Sequence, residues 1–491
     1  MMTFTPSAEQ VAIIHAATST EDNLLLSALA GAAKTSTLVM VAEALPKKNI
    51  LCLAFNKAIA LEMGTRLPKN CTALTLHSLG NTAWKQFLGL RRTNLQYGKM
   101  YNIIKDLSAE LSAADKKEAF DEFSFILQSC NHAKGAGHLP DRFLANVTKA
   151  PQPIINDKEL LESLSEEVSS FVHSLIIRAL NISAEMAMKG EIDFDDMVLF
   201  PSLFRCMYPP NNLVLVDETQ DLSPLNHRML KQLVKKRIIA VGDQCQAIYG
   251  FRGADEAGME LMARSFGMTE LTLSCSFRCP QSIVDHVLWR APHMTAWEGT
   301  PEAPAPVYKG LFNLSEIPDG AAVICRNNAP LLSIGLALLS QGRYPYIWGN
   351  DIAKGLIKKL TDLGSNSMAQ EQALGCLQRY HDKQAKRVKN QKKLRDTTNC
   401  LRVLIEACDT LGEACERAKA IFSCKGPLNL MTGHKAKGSE FDDVFFLDSE
   451  LVGTEDQEPN LRYVICTRSK RNLTYIDSDQ CIELMDEGPE T

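Results

Sequence analysis

The chain has 491 residues, 45% of them hydrophobic and 23% charged, with a formal net charge of −5. This is the balance of an ordinary globular protein with room for several cores, and it excludes disordered and collagenous classes. No apolar run is long enough to cross a bilayer, and the acidic balance lacks a whole-domain basic signature, so any contact with phosphates has to come from a local surface.

The opening Met1-Met2-Thr3-Phe4-Thr5-Pro6 has no basic region followed by an apolar stretch, so no signal peptide is expected. The 15 cysteines are scattered, many inside apolar runs and none in a CxxC pair. They read as reduced thiols of a cytoplasmic protein rather than as a disulfide framework or a zinc site.

Short apolar runs followed by turns recur along the chain. Leu24-Leu25-Leu26-Ser27-Ala28, Ile50-Leu51-Cys52-Leu53-Ala54, Leu213-Val214-Leu215-Val216 and Arg237-Ile238-Ile239-Ala240-Val241 each fit a buried parallel strand. A second set follows at Leu271-Thr272-Leu273, Ala321-Ala322-Val323-Ile324-Cys325, Leu428-Asn429-Leu430-Met431, Val444-Phe445-Phe446-Leu447 and Leu473-Thr474-Tyr475-Ile476. Strands alternating with helices predict an α/β protein with doubly wound sheets and ligands at the carboxyl ends of the strands. The expected organisation is a first core at residues 1–81 and 194–270 with a helical insertion at 82–193, and a second core at 271–350 and 425–491 with a small helical insertion at 351–424. Lys383 to Arg395 forms a basic run that fits a solvated helix face somewhat better than a nucleic-acid contact.

Ala28-Leu29-Ala30-Gly31-Ala32-Ala33-Lys34-Thr35 follows a predicted strand and opens a predicted helix. That is the setting of a phosphate-binding loop, in which backbone N–H groups and the helix N-terminus receive the phosphates. Lys34 would reach the β and γ phosphates of ATP, and the Thr35 hydroxyl would hold Mg²⁺. Alanines at positions 28 and 33 replace the outer glycines of the usual pattern, and alanine tolerates positive φ poorly. By itself the segment fits an ordinary strand-to-helix turn equally well. Leu213-Val214-Leu215-Val216-Asp217-Glu218 adds a strand ending in an acidic pair. Asp217 is suited to hold Mg²⁺ through water, and Glu218 to orient and deprotonate the attacking water. Gln246, after the next strand, is a candidate γ-phosphate sensor.

Further segments occur in a fixed order: Thr5-Pro6-Ser7-Ala8-Glu9-Gln10, Ala54-Phe55-Asn56-Lys57-Ala58, Thr75-Leu76-His77-Ser78, Ile192-Asp193-Phe194-Asp195-Asp196-Met197, Val216-Asp217-Glu218-Thr219-Gln220-Asp221 and Gly242-Asp243-Gln244-Cys245-Gln246-Ala247-Ile248-Tyr249-Gly250-Phe251-Arg252-Gly253-Ala254. Phe277-Arg278, Arg326, Thr432-Gly433-His434-Lys435-Ala436-Lys437-Gly438-Ser439-Glu440-Phe441 and Asn460-Leu461-Arg462-Tyr463-Val464-Ile465-Cys466-Thr467-Arg468 complete the series. The ordered set resembles superfamily 1 DNA helicases of the UvrD, Rep and PcrA type, from near residue 5 to near residue 476.

The resemblance implies two RecA-like P-loop NTPase domains with mostly helical insertions. It implies ATP held by Gln10 at the base, by Ala30, Gly31, Ala32, Ala33, Lys34, Thr35 and Ser36 at the phosphates, by Phe277 stacking on adenine, and by Glu440. Mg²⁺ would sit on Thr35 and Asp217. Glu218, Lys34 and Gln246 would act in hydrolysis with Arg278 and Arg468 as arginine fingers. Phe55, Asn56, Lys57, His77, Tyr249, Phe251, Arg252, Thr432 and His434 would contact single-stranded DNA or a single-strand/duplex junction. Travel from 3′ to 5′ and protein partners in repair, replication or recombination also follow only from the resemblance. The sequence departs from the family at Ala33, at Thr219, at Phe251 where Trp is common, and in a shorter second insertion. These departures keep two alternatives open: a translocase without processive unwinding, and a nucleotide-gated DNA-binding subunit of a larger complex.

Overall fold

The computed structural model describes residues 5–148, 151–164, 168–250, 257–385 and 391–481. The chain divides into two compact units, residues 1–28 with 33–273 and residues 29–32 with 274–491.

In the first unit, six strands form a wholly parallel sheet: β1 Leu24–Ala28, β2 Ile50–Ala54, β3 Cys71–Thr75, β4 Leu213–Val216, β5 Arg237–Gly242 and β6 Thr269–Leu273. Their order is β3-β2-β4-β5-β1-β6. The central strands β2, β4 and β5 are buried along their whole length, as unbroken aliphatic runs covered on both faces require. Leu271–Leu273, expected among the strands of the second core, instead belongs to β6, where Leu271 pairs with Leu26 and Leu273 with Ala28 of β1. Chain order alone does not tell which sheet an edge strand joins. The sequence reading also omitted β3, whose Thr- and Ala-containing run is only partly buried at the sheet edge.

Helix α1 (Ala8–Ser19) opens on a capping box between Ser7 and Gln10, α2 (Lys34–Ala44) follows β1, and α3 (Lys57–Arg66) follows β2. Helix α4 (Leu76–Phe87) leaves β3 with Leu76, Leu79, Ala83 and Trp84 on its buried face, a helical repeat. The helical insertion builds cores of its own. One is centred on Trp84 packed against Phe87, Phe200 and Phe204. The other joins α5 (Lys99–Ala109), α6 (Phe123–Gly135) and α7 (Ser170–Met188) through Ile104, Ile126 and Ile176.

Between these cores lies a buried charge cluster. Lys99 Nζ donates to Asp196 Oδ2 at 2.7 Å and to the Ser183 carbonyl at 2.7 Å. Lys134 Nζ pairs with Asp193 at 2.6 Å and with Asp196 Oδ1 at 2.7 Å. The acidic segment Asp193 to Asp196 is therefore an anchor for two buried lysines at the start of α8 (Asp196–Leu203).

The second unit contains another six-stranded parallel sheet: β7 Val307–Tyr308, β8 Ala322–Cys325, β9 Pro345–Ile347, β10 Leu428–Thr432, β11 Phe441–Leu447 and β12 Ser469–Ile476, in the order β7-β12-β11-β8-β10-β9. The shorter insertion supplies helices Asn350–Leu363, Gln370–Ala385, Gln391–Glu406 and Leu411–Ser423. Leu360, Leu377, Leu401 and Ile421 share one continuous core with Val323, Leu430 and Leu447 of the sheet. Part of the Lys383–Arg395 basic run lies outside the described residues.

Candidate nucleotide site and nucleic-acid interface

The carboxyl ends of β1, β4 and β5 lie side by side in the first sheet, and the chain leaves each of them in a tight turn. After β1, Ala32 N–H donates to the Leu29 carbonyl at 3.2 Å, Gly31 takes φ +76°, and Ala33 takes φ 56° as the N-cap of α2. The left-handed residue directly before Lys34 is thus an alanine. Lys34 is the first residue of α2, where backbone N–H groups have no intrahelical partner.

Thr35 Oγ1 donates to Asp217 Oδ2 at 2.6 Å, and Glu218 N–H donates to Asp217 Oδ1 at 2.9 Å. Burial, reinforced by the adjacent Glu218 charge, pushes the Asp217 carboxyl up to about 6 despite the Thr35 hydrogen bond and the Lys34 charge. An alcohol and a carboxylate oxygen this close form a hard-oxygen pair that suits Mg²⁺, which otherwise keeps water and phosphate oxygens. Glu218 itself has φ 53°, a strained conformation for a non-glycine residue and a feature that clusters at functional sites.

A buried amide joins the two acidic segments. Gln220 Nε2 donates to Glu218 Oε2, while its Oε1 accepts the Asp243 N–H at 3.0 Å. Gln246 Nε2 in turn donates to Asp243 Oδ2, and burial holds the Asp243 carboxyl above its ordinary range. Gly242 is required here, since a Cβ would lie 2.4 Å from Thr219 Oγ1 and 2.8 Å from Gln220 Oε1. Sequence reasoning picked out Glu218 and Gln246 but missed Gln220 and Asp243 between them. The available signal was a glutamine two residues past the acidic pair.

Other predicted nucleotide contacts are already engaged. Gln10 is buried; its Oε1 accepts the Ser7 N–H at 3.0 Å and its Nε2 donates to Thr37 Oγ1 at 3.0 Å. These bonds use one acceptor site and one N–H of the amide. Ser36 Oγ accepts from Arg66 Nη2 at 2.7 Å.

Among the predicted DNA contacts in this unit, Phe55 and Tyr249 stack on each other with centroids 5.8 Å apart and planes 10° apart. Asn56 caps α3 by accepting the Ile59 N–H at 2.9 Å, and Lys57 and His77 are exposed in the first turns of α3 and α4. Phe251 and Arg252 lie outside the described residues.

In the second unit, Arg278 Nε donates to Glu440 Oε2 at 2.7 Å and Nη1 to the Thr467 carbonyl at 3.4 Å. Arg468 is only 1% exposed; its guanidinium donates to the carbonyls of Val464 and Ser439 at 2.8 and 3.2 Å and to Thr467 Oγ1 at 3.1 Å. Arg468, the second candidate arginine finger, is thus held by hydrogen bonds to Val464, Ser439 and Thr467 in this conformation. Arg326 is held by Glu458 in a two-pronged pair at 2.8 and 2.7 Å. Phe277 packs against Trp297 at 5.7 Å, a partner the sequence reading missed. Thr432 is buried before the short helix Gly433–Ala436, with His434 half-buried within it.

Residues 8–267, more than half the chain, match the UvrD/REP helicase N-terminal domain, and residues 427–476 match the UvrD-like helicase C-terminal domain. The chain belongs to the UvrD/Rep helicase family. As a UvrD-type chain it has two RecA-like sheets, each carrying its share of the family's motifs. It is 27% identical over 300 residues to F-box DNA helicase protein 1 of Schizosaccharomyces pombe, covering 57% of this chain and 32% of that protein. It is 28% identical over 300 residues to a probable DNA helicase II homolog of Rickettsia felis, covering 55% and 42%. A shorter stretch of 173 residues is 28% identical to the RecBCD enzyme subunit RecB of Escherichia coli, covering 30% and 14%. The chain spans less than half the length of each of these relatives. Among the described residues no helix is long and apolar enough to cross a membrane.

Proposed function

We propose that this UvrD/Rep-family chain is an ATP-driven DNA helicase that moves along single-stranded DNA, with 3′-to-5′ travel as the expected polarity. The observation that carries the reading is the convergence of Lys34, Thr35, Asp217, Glu218 and Gln246 at neighbouring strand ends, with Thr35 already hydrogen-bonded to Asp217. In this reading the first turn of α2 and Lys34 receive the phosphates of ATP. Thr35 and Asp217 hold Mg²⁺, which when bound offsets charge on the phosphate oxygens. Glu218 orients a water and takes its proton, and Gln220 keeps the Glu218 carboxylate aimed. In the second unit, Arg278 and Arg468 are the candidate arginine fingers. Arginine fingers contribute ~10³–10⁵ in phosphoryl-transfer rate. Alternating affinity of the two units for the strand then makes the nucleotide cycle directional.

Phe55 and Tyr249 support a strand path, because stacked rings offer bases a sequence-tolerant platform. The test is unwinding of paired 3′-tailed and 5′-tailed duplexes with ATP, with Lys34→Ala and Glu218→Gln as controls. The expected result is ATP-dependent unwinding of the 3′-tailed substrate that both substitutions abolish. Normal turnover in either variant would remove the assigned site. ATP turnover and streptavidin displacement without strand separation would favour the translocase reading instead.

A further inference from the structure

Along the outer face of α9 (Pro224–Leu233) runs a groove of 870 Å³ that the nucleotide chemistry does not use. It is lined by Arg205, by Arg228 and Lys231 three residues apart on α9, and by Lys235 just past its end. Among the described residues lining it there is no carboxylate, although the chain as a whole carries a net charge of −5. Arg228 has only a neutral partner, Gln152 Oε1 at 3.2 Å, and among the described residues none of the four cations has an ion-pair partner. Between the cations the lining is aliphatic, with Ile154 39% and Leu261 43% exposed.

We infer that this groove is a docking site for an acidic, amphipathic segment of a partner protein, whose carboxylates meet the basic rim and whose apolar side chains cover Ile154 and Leu261. A basic rim alone would suit DNA equally well, but the floor decides between the two. Nonspecific strand-binding surfaces offer aromatic faces for bases. Here the described lining contains no Phe, Tyr or Trp, and its one aromatic ring is the half-buried imidazole of His227. Exposed aliphatics beneath a rim of cations match an amphipathic helix laid in a groove, with charge setting its orientation. The helix that carries Arg228 and Lys231 starts at Pro224, three residues past Asp221.

The inference does not depend on the nucleotide reading, and the binding test needs no ATP. The full chain is titrated by fluorescence anisotropy with three labelled peptides. One carries Glu and Leu at helical spacing, the second keeps each Glu but replaces Leu by Ser, and the third replaces Glu by Lys. The first should bind, weaken roughly tenfold or more between about 50 and 200 mM salt, and exceed the other two. Lys231→Glu with Lys235→Glu, and separately Leu261→Ser, should each lower its affinity roughly tenfold or more, an amount equal to about 1.4 kcal/mol. Both variants should keep the parent circular dichroism spectrum and basal ATP turnover. Equal binding of the Glu/Leu and Glu/Ser peptides, no binding of the first, or a DNA oligonucleotide whose affinity alone falls in the charge-reversed variant would overturn the proposal.

Discussion

The hydroxyl of Thr35 and the carboxylate of Asp217 lie 2.6 Å apart across 182 residues of chain. Because Asp217 must be ionised to accept a metal, its raised value near 6 has a consequence for binding. Below that pH the metal-free protein holds a proton there, and Mg·ATP has to displace it. Affinity should therefore fall as pH drops through about 6, approaching tenfold per unit, and binding should release a proton. Calorimetry in two buffers of different ionisation enthalpy, below and above that pH, measures the release. Asp217→Asn should abolish it.

Ala33 sits at φ 56° where the general phosphate-loop pattern has glycine. Left-handed backbone costs an L-residue ~1–2 kcal/mol, partly balanced by the lower chain entropy of alanine in the unfolded state. Ala33→Gly should thus raise stability by up to about 1 kcal/mol and retain ATP turnover, whereas Ala33→Val should destabilise by more than that and weaken ATP binding. Urea unfolding and nucleotide titration read both effects.

Gln220 bridges Glu218 and the Asp243 N–H. Gln220→Leu leaves the Asp243 N–H unsatisfied and frees the Glu218 carboxylate to reorient, a loss of ~1–3 kcal/mol. In steady-state ATPase assays kcat should drop by about 5- to 150-fold with a smaller change in KM. An unchanged kcat would mean that Glu218 needs no such support.

Tyr249 stacks on Phe55. Tyr249→Ala should cost ~1–3 kcal/mol of single-stranded DNA affinity and reduce DNA-stimulated ATPase, while basal turnover stays largely intact. Equal stimulation in parent and variant would move the strand path elsewhere.

Lys134 is buried against Asp193 and Asp196. Lys134→Met leaves two buried carboxylates sharing Lys99 and should destabilise the first unit by about 3–5 kcal/mol. Denaturant unfolding compared with the exposed control Lys57→Met checks this.

Local chemistry was legible in the sequence. Unbroken aliphatic runs such as Ile50–Ala54 and Leu213–Val216 mark buried strands whatever surrounds them. The Lys-Thr turn and the Asp-Glu pair are recognisable because each depends on its own strand end. What only the tertiary structure decided was the choice of partner for each polar side chain and each edge strand. Gln10 accepts from Ser7 in a capping box and donates to Thr37 on the next helix. Arg468 could extend or turn inward, and it turns inward to Val464 and Ser439. Leu271–Leu273 joins β1, a strand some 240 residues earlier in the chain. The same holds for the groove on α9, whose cations come from separated segments. Hydrogen-bond and strand partners are selected by whichever long-range contacts satisfy buried groups at once, and that competition leaves no local periodicity to read.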